Sequence, residues 1–192
     1  MVFITVGRLI HRKGIGNLLE AWREFAKVIP IDCRLVIIGE GPLESALKRQ
    51  AHEAGLKKVV FMGSIDYDAI APYYAAADVF VMPTLEDNWS LVVPEAMACG
   101  LPVLCSKYNG CHPEMIEPGG NGWVFDPLDA EDTLSALKRC ITYRDRLKQM
   151  GRRSKEIVAE HTPEHAAQAI HDACRIAAGY FRKAHDAHSS GA

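Results

Sequence analysis

Five short runs, "VFITVG", "CRLVIIG", "KVVFMG", "DVFVMP" and "PVLCS", are apolar at successive positions and rich in β-branched residues. That is the pattern of strands buried on both faces. Segments of helical period separate them, and "GNLLEAWREFAKVI" gathers Leu18, Leu19, Trp22, Phe25, Ala26 and Ile29 on one face. "PLESALKRQAHEAG" opens with Pro42 in its first turn and closes at Gly55. "DYDAIAPYYAAA" carries Pro72 near its middle, which predicts a kink or a late start. "GWVF" (122–125) adds a candidate strand. After Pro127 the pattern turns helical, through "LDAEDTLSALKRCITYRDRLKQM" and then "RRSKEIVAEH". Thr162-Pro163-Glu164 supplies an N-cap and a proline at the first position of a last helix.

The alternation predicts an α/β fold, a Rossmann-like doubly wound parallel sheet with helices on both faces. Such sheets bind ligands at the C-terminal ends of their strands. Residues 1–160 are assigned to this domain, 161–185 to the last helix and 186–192 to a disordered tail. "MVFITVGRLI" is too short to span a bilayer and reads as a strand starting at once, as in a domain cut from a longer chain.

Composition narrows the function classes. With Lys+Arg 22 against Asp+Glu 24 and a net charge of -2, the chain lacks the basic footprint of a general nucleic-acid binder. The cysteines at 33, 99, 105, 111, 140 and 174 form no C-x-x-C pair and read as reduced thiols of a cytosolic protein. Cys111 and His112 are adjacent rather than ligand-spaced, so no metal site is expected. His52, His161, His165, His171, His185 and His188 are expected on solvated surface and His11 on a loop, while Asn109 and His112 follow a strand end and are candidates to line a pocket.

Two stretches carry candidate chemistry. In "TVGRLIHRKG", Gly7 permits close backbone approach after a strand, and Arg8 and Lys13 offer a guanidinium fork and a point charge for a diphosphate. In "TLEDNWSLVVPEAMACGLPV", Pro94 fits only in a first turn, so a helix is expected to start at 91–94. The N–H groups from Asn88 to Leu91 then face outward as anion donors. Asp87 and Glu95 flank that anion site, either to meet vicinal hydroxyls of a sugar nucleotide or as an acidic first turn that complements the helix dipole. By contrast, "IIGEGPLES" fails as a dinucleotide fingerprint, because Glu44 stands where the third small residue is needed.

At these residues a resemblance appears. "VGRLIHRKG" resembles the G-R-L-x-x-x-K-G segment of retaining family 4 glycosyltransferases (glycosyl transferase group 1). "FMGSIDYDAIAPYYAAADVFVMPTLEDNWSLVVPEAMACGLPVL" is similar to the same family's F-x-G, A-D-x-x-x-x-P-S and E-x7-E segments, and the likeness runs from about Phe3 to Pro127 through "EMIEPGGNGWVFDP". It implies the donor-binding C-terminal half of the two-domain GT-B fold, with an N-terminal acceptor domain outside this sequence. Arg8 and Lys13 then match donor-phosphate cations, Glu95 the ribose carboxylate, Asp87 the sugar carboxylate, Asn88, Trp89, Ser90 and Leu91 the backbone donors, and Ile65 the base contact.

The implied reaction moves a hexose from a UDP-, GDP- or ADP-sugar to an acceptor hydroxyl with retention, without metal or other cofactor. The implied acceptor is a sugar or glycolipid bound by the other domain, with peripheral membrane contact there and a cytoplasmic location. Three departures stand out: Asp87 replaces a glutamate beside the out-of-register Glu86, "NWS" replaces G-F-G, and the resemblance is weak beyond residue 150. A sugar-nucleotide epimerase or phosphorylase on the same half-fold, or a non-catalytic sugar-nucleotide binding module, is the alternative.

Overall fold

The structure, a computed structural model, describes residues 1–189. Six strands, β1 (Val2–Val6), β2 (Arg34–Ile38), β3 (Val59–Gly63), β4 (Val79–Met82), β5 (Val103–Ser106) and β6 (Gly122–Phe125), form one parallel sheet in the order β3-β2-β1-β4-β5-β6. Successive strand residues feed opposite faces. Phe3, Val79 and Leu104 enter one core with α1 (Ile15–Val28), α2 (Glu44–Glu53) and α6 (Ala130–Thr142). Ile4, Phe80 and Cys105 enter the other with α3 (Ala71–Ala75), α4 (Val92–Ala98), α5 (His112–Met115) and α7 (Leu147–Ala159). Two covered faces explain why β1, β2, β4 and β5 are apolar without alternation, whereas β3 departs from the expectation for "KVVFMG": at the sheet edge it leaves Val60 and Met62 exposed on one face.

Three further sequence expectations are adjusted. Pro42 lies before α2 rather than in its first turn, since a turn from Gly41 to Glu44 precedes the helix. Pro72 marks a late start: a 3-10 turn at Tyr67–Ala69 comes first, and α3 opens at Ala71 with proline in its first positions. The helical region after Pro127 breaks at the 3-10 turn Arg144–Arg146, well before Gly151. Gly151 is interior to α7, where a Cβ would stand 1.9 Å from the Gly100 carbonyl oxygen. It is there for close packing of α7 on the end of α4.

The last helix, α8 (Pro163–Ser189), covers positions 186–189 that the sequence reading gives to a tail. The rest of that tail, 190–192, lies outside the described residues. Ile170, Ile176 and Tyr180 on α8 are 66%, 62% and 72% exposed. Among the described residues, no helix is long and apolar enough to cross a membrane.

The sheet is anchored by an aromatic trio: Phe3 meets Trp22 and Phe25 edge-on, with centroids 5.2 and 5.7 Å apart. Phe3→Ala is expected to cost about 3–5 kcal/mol in urea unfolding, the range for emptying an aromatic core site. Tyr180→Ala, on exposed α8, should change stability by less than about 0.5 kcal/mol.

Candidate functional site

Chain order reverses between β1 and β4, the switch point at whose C-terminal strand ends such sheets bind ligands. The loop after β1 contains Gly7, Arg8 and a 3-10 turn, His11–Lys13. The Arg12 carbonyl in that turn accepts from the Leu85 amide (2.7 Å) and the buried Thr84 hydroxyl (2.8 Å), which ties it to the loop after β4. The turn carries Lys13 to Asp87, with Nζ and Oδ2 2.5 Å apart. The Ser90 hydroxyl donates to the same oxygen at 2.6 Å. Among the described residues, no side chain donates to the other oxygen, Oδ1.

A third loop, after β5, fixes the Asp87 backbone. The Asp87 amide donates to the Tyr108 carbonyl (3.2 Å), and the Gly110 amide donates to the Asp87 carbonyl (2.8 Å). Gly110 is required for this approach, because a Cβ there would stand 2.1 Å from the Asn88 carbonyl oxygen. Asn109 between them is fully buried, with Oδ1 accepting from the Cys111 amide and Nδ2 without a partner among the described residues.

Lys13 and Asp87 are only 16% and 13% exposed, so neither charge is well hydrated and each depends on the other. Burial pushes the Asp87 carboxyl up, but Lys13, Ser90 and the Trp89 amide outweigh it and hold it below the ordinary carboxylate value. Behind the loop, a hydrogen bond from the free Cys105 thiol holds the Cys111 thiol below its usual range, and the Ser90 amide adds to this.

Helix α4 starts at Val92 with Leu91 as its N-cap, so Pro94 falls in the first turn, where its missing N–H sacrifices no helical bond. Among the described residues, no backbone carbonyl accepts from the amides of Asn88, Trp89, Ser90 or Leu91. Glu95, one residue on, is half-buried, and the buried Tyr74 hydroxyl donates to its Oε2 at 3.2 Å. Burial raises the Glu95 carboxyl above its usual value, and the Tyr74 bond offsets part of that rise.

The remaining candidates are distributed around this core. Arg8 is exposed and makes no ion pair among the described residues. Ile65 is half-buried against the second core, just after β3. Asn88 and Leu91 are exposed and Ser90 is buried, while Trp89 is 38% exposed with its ring centroid 6.3 Å from that of His161. Glu86 is exposed without a side-chain partner among the described residues, His11 is exposed and His112 half-buried. Cys33, Cys105, Cys111 and Cys140 are buried, Cys99 is half-buried and Cys174 is exposed. Side chains of His185 and His188 lie outside the described residues. Sequence reasoning missed Thr84, Tyr74, Tyr108 and Gly110, whose roles come from neighbours distant in the chain.

A model of the family described as "Glycosyl transferases group 1" matches residues 1–157. A sulfoquinovosyl transferase of Arabidopsis thaliana is 30% identical over 191 residues, 98% of this chain and 36% of the relative. The chain thus spans little more than a third of that protein. A sucrose-phosphate synthase structure from Thermosynechococcus elongatus aligns with a TM-score of 0.77 at 30% identity, over 93% of this chain and 46% of that one. The C-terminal domain of a glycosyl transferase group 1 family protein from Francisella tularensis gives 0.73 at 27% identity, over 82% of this chain and 84% of that domain.

The depressed Asp87 carboxyl makes the pH dependence specific. Its folded value lies below the unfolded one, so its stabilisation is complete above the ordinary carboxylate value and disappears as pH falls through the folded value. Asp87→Asn should lower stability by about 1–3 kcal/mol near neutral pH. It should also flatten that acid limb in urea unfolding series run from about pH 7 down to about pH 3.

Proposed function

The chain belongs to the glycosyl transferases group 1 family, and on that premise we propose that it binds the donor of a hexosyltransferase reaction. The reaction moves a hexose from a nucleoside-diphosphate sugar to an acceptor hydroxyl with retention. The observation that carries this reading is the Lys13–Asp87 pair at the switch point of the sheet, with exposed Arg8 on the same loop.

Lys13 neutralises Asp87. A diphosphate offers Lys13 and Arg8 a stronger anion, and the two cations then stabilise the charge that builds on the leaving group. Of the amides from Asn88 to Leu91, those of Trp89 and Ser90 already serve Asp87 and Cys111, and those of Asn88 and Leu91 add donors at the same end. Asp87, held by Ser90, turns its open oxygen to hydroxyls of the hexose. Glu95 receives the ribose hydroxyls, and the backbone at Ile65 meets the base. Gly7 keeps the strand end open for this approach. These groups supply the positive charge the leaving diphosphate needs, so the proposed transfer uses neither a metal nor another cofactor.

The acceptor, a sugar or glycolipid, is assigned to an N-terminal GT-B half, which would also make any peripheral membrane contact of a cytoplasmic enzyme. The chain by itself is expected to bind donor and turn over little of it.

A thermal-shift screen of UDP-, GDP- and ADP-hexoses tests binding and separates the donors. In calorimetry with the responding donor, Glu95→Ala is expected to weaken binding about tenfold to a hundredfold, the loss of hydrogen bonds to a charged group. Glu86→Ala, on an exposed residue, should change it less than about twofold. Equal and negligible effects would remove the ribose assignment.

A further inference from the structure

We infer that Tyr74 is a positioning residue for the ribose carboxylate, holding Glu95 in the orientation in which it meets a nucleotide. The inference rests on the reading of Glu95 as the group that receives ribose hydroxyls.

Tyr74 is 1% exposed on α3, and its ring packs edge-on against Phe80 with centroids 5.9 Å apart. Packing therefore fixes the phenol, and the carboxylate has to come to it. Glu95 is the only hydrogen-bond partner of the Tyr74 hydroxyl among the described residues, and Tyr74 is the only side chain donating to Glu95. A free glutamate side chain samples many rotamers, and ordering it at the moment of binding costs entropy. The bond from Tyr74 orders it in advance. It commits Oε2 and leaves Oε1 open, so one oxygen is anchored and the other faces a ligand.

A buried tyrosine hydroxyl needs an acceptor, and a main-chain carbonyl would serve that need alone. Here the acceptor is instead a half-buried carboxylate in the first turn of the helix that follows the candidate donor loop. The other titratable groups near this pair are Cys99 at the C-cap of α4, Tyr67 ahead of α3, and Lys155 of α7, which acts on Cys99. Tyr74 alone donates a hydrogen bond to Glu95 that favours its ionised form.

The test compares UDP, GDP and ADP with their 2′-deoxy counterparts by calorimetry on the chain, its Tyr74→Phe form and its Glu95→Ala form. Wild type should prefer the ribonucleotide of its own base, and Glu95→Ala should abolish the preference. Tyr74→Phe is expected to weaken the ribonucleotide about threefold to tenfold while moving the deoxynucleotide less than about twofold, the scale of one hydrogen bond acting through Glu95.

Loss of the phenol also removes a bond that favours ionised Glu95. On acidification the ribonucleotide preference should therefore collapse at a higher pH in Tyr74→Phe than in wild type. If Tyr74→Phe melts below the assay temperature, Tyr74→Met fills most of the ring volume without the hydroxyl and takes its place. Unchanged preference and pH profile overturn the positioning role, as does an equal loss for ribo- and deoxynucleotides. Wild type that binds none of the six overturns the donor-site reading itself, and the inference with it.

Discussion

The Asp87 carboxylate is the constraint around which the candidate site is arranged. It sits after β4, the strand flanked by β1 and β5, so loops from both neighbours reach it. From the β1 side comes Lys13, on a turn whose carbonyl is clamped by Thr84 and Leu85. From the β5 side come Tyr108 and Gly110, which bracket the Asp87 peptide. Withdrawing one charge would leave the other poorly hydrated, which typically costs more than the intact pair contributes. Charge neutrality and backbone pairing thus hold three loops in register before any ligand arrives.

The fold was legible because its strongest signals are local. Apolar runs without alternation suit strands covered on both sides, and Phe3 and Ile4 do feed opposite cores, although the edge run Val59–Gly63 leaves Val60 and Met62 exposed. Pro94 likewise set the start of α4 within its own turn. The site was legible only as a set of chemically apt residues. Nothing local to Asp87 announces Lys13, which is 74 positions away, and nothing local to Glu95 announces Tyr74. The helix breaks failed for the opposite reason. Gly151 looks like punctuation in sequence, yet its missing side chain is used for contact with Gly100.

The "NWS" departure has a use outside a sugar pocket. Ser90 is buried and spends its hydroxyl on Asp87, so the side chain gained there fixes the shorter acid. Trp89 places its ring beside His161, at the junction between α7 and the exposed helix α8. The contact ties the loop carrying Asp87 to the start of α8.

The two acidic residues share one design. In each, Oδ2 of Asp87 or Oε2 of Glu95, one oxygen is held by the protein, while the other has no side-chain donor among the described residues. A carboxylate with both oxygens satisfied would have little left for a ligand hydroxyl, and one with neither held would have to be ordered on binding. The difference between them lies in charge. Asp87 faces a cation and is kept ionised, whereas Glu95 has only a neutral phenol and is pushed toward protonation by burial. Of the two, Glu95 is the one whose hydrogen-bonding capacity a modest fall in pH would change first, so on the proposed donor-site reading acid sensitivity of binding should trace to Glu95 rather than to Asp87.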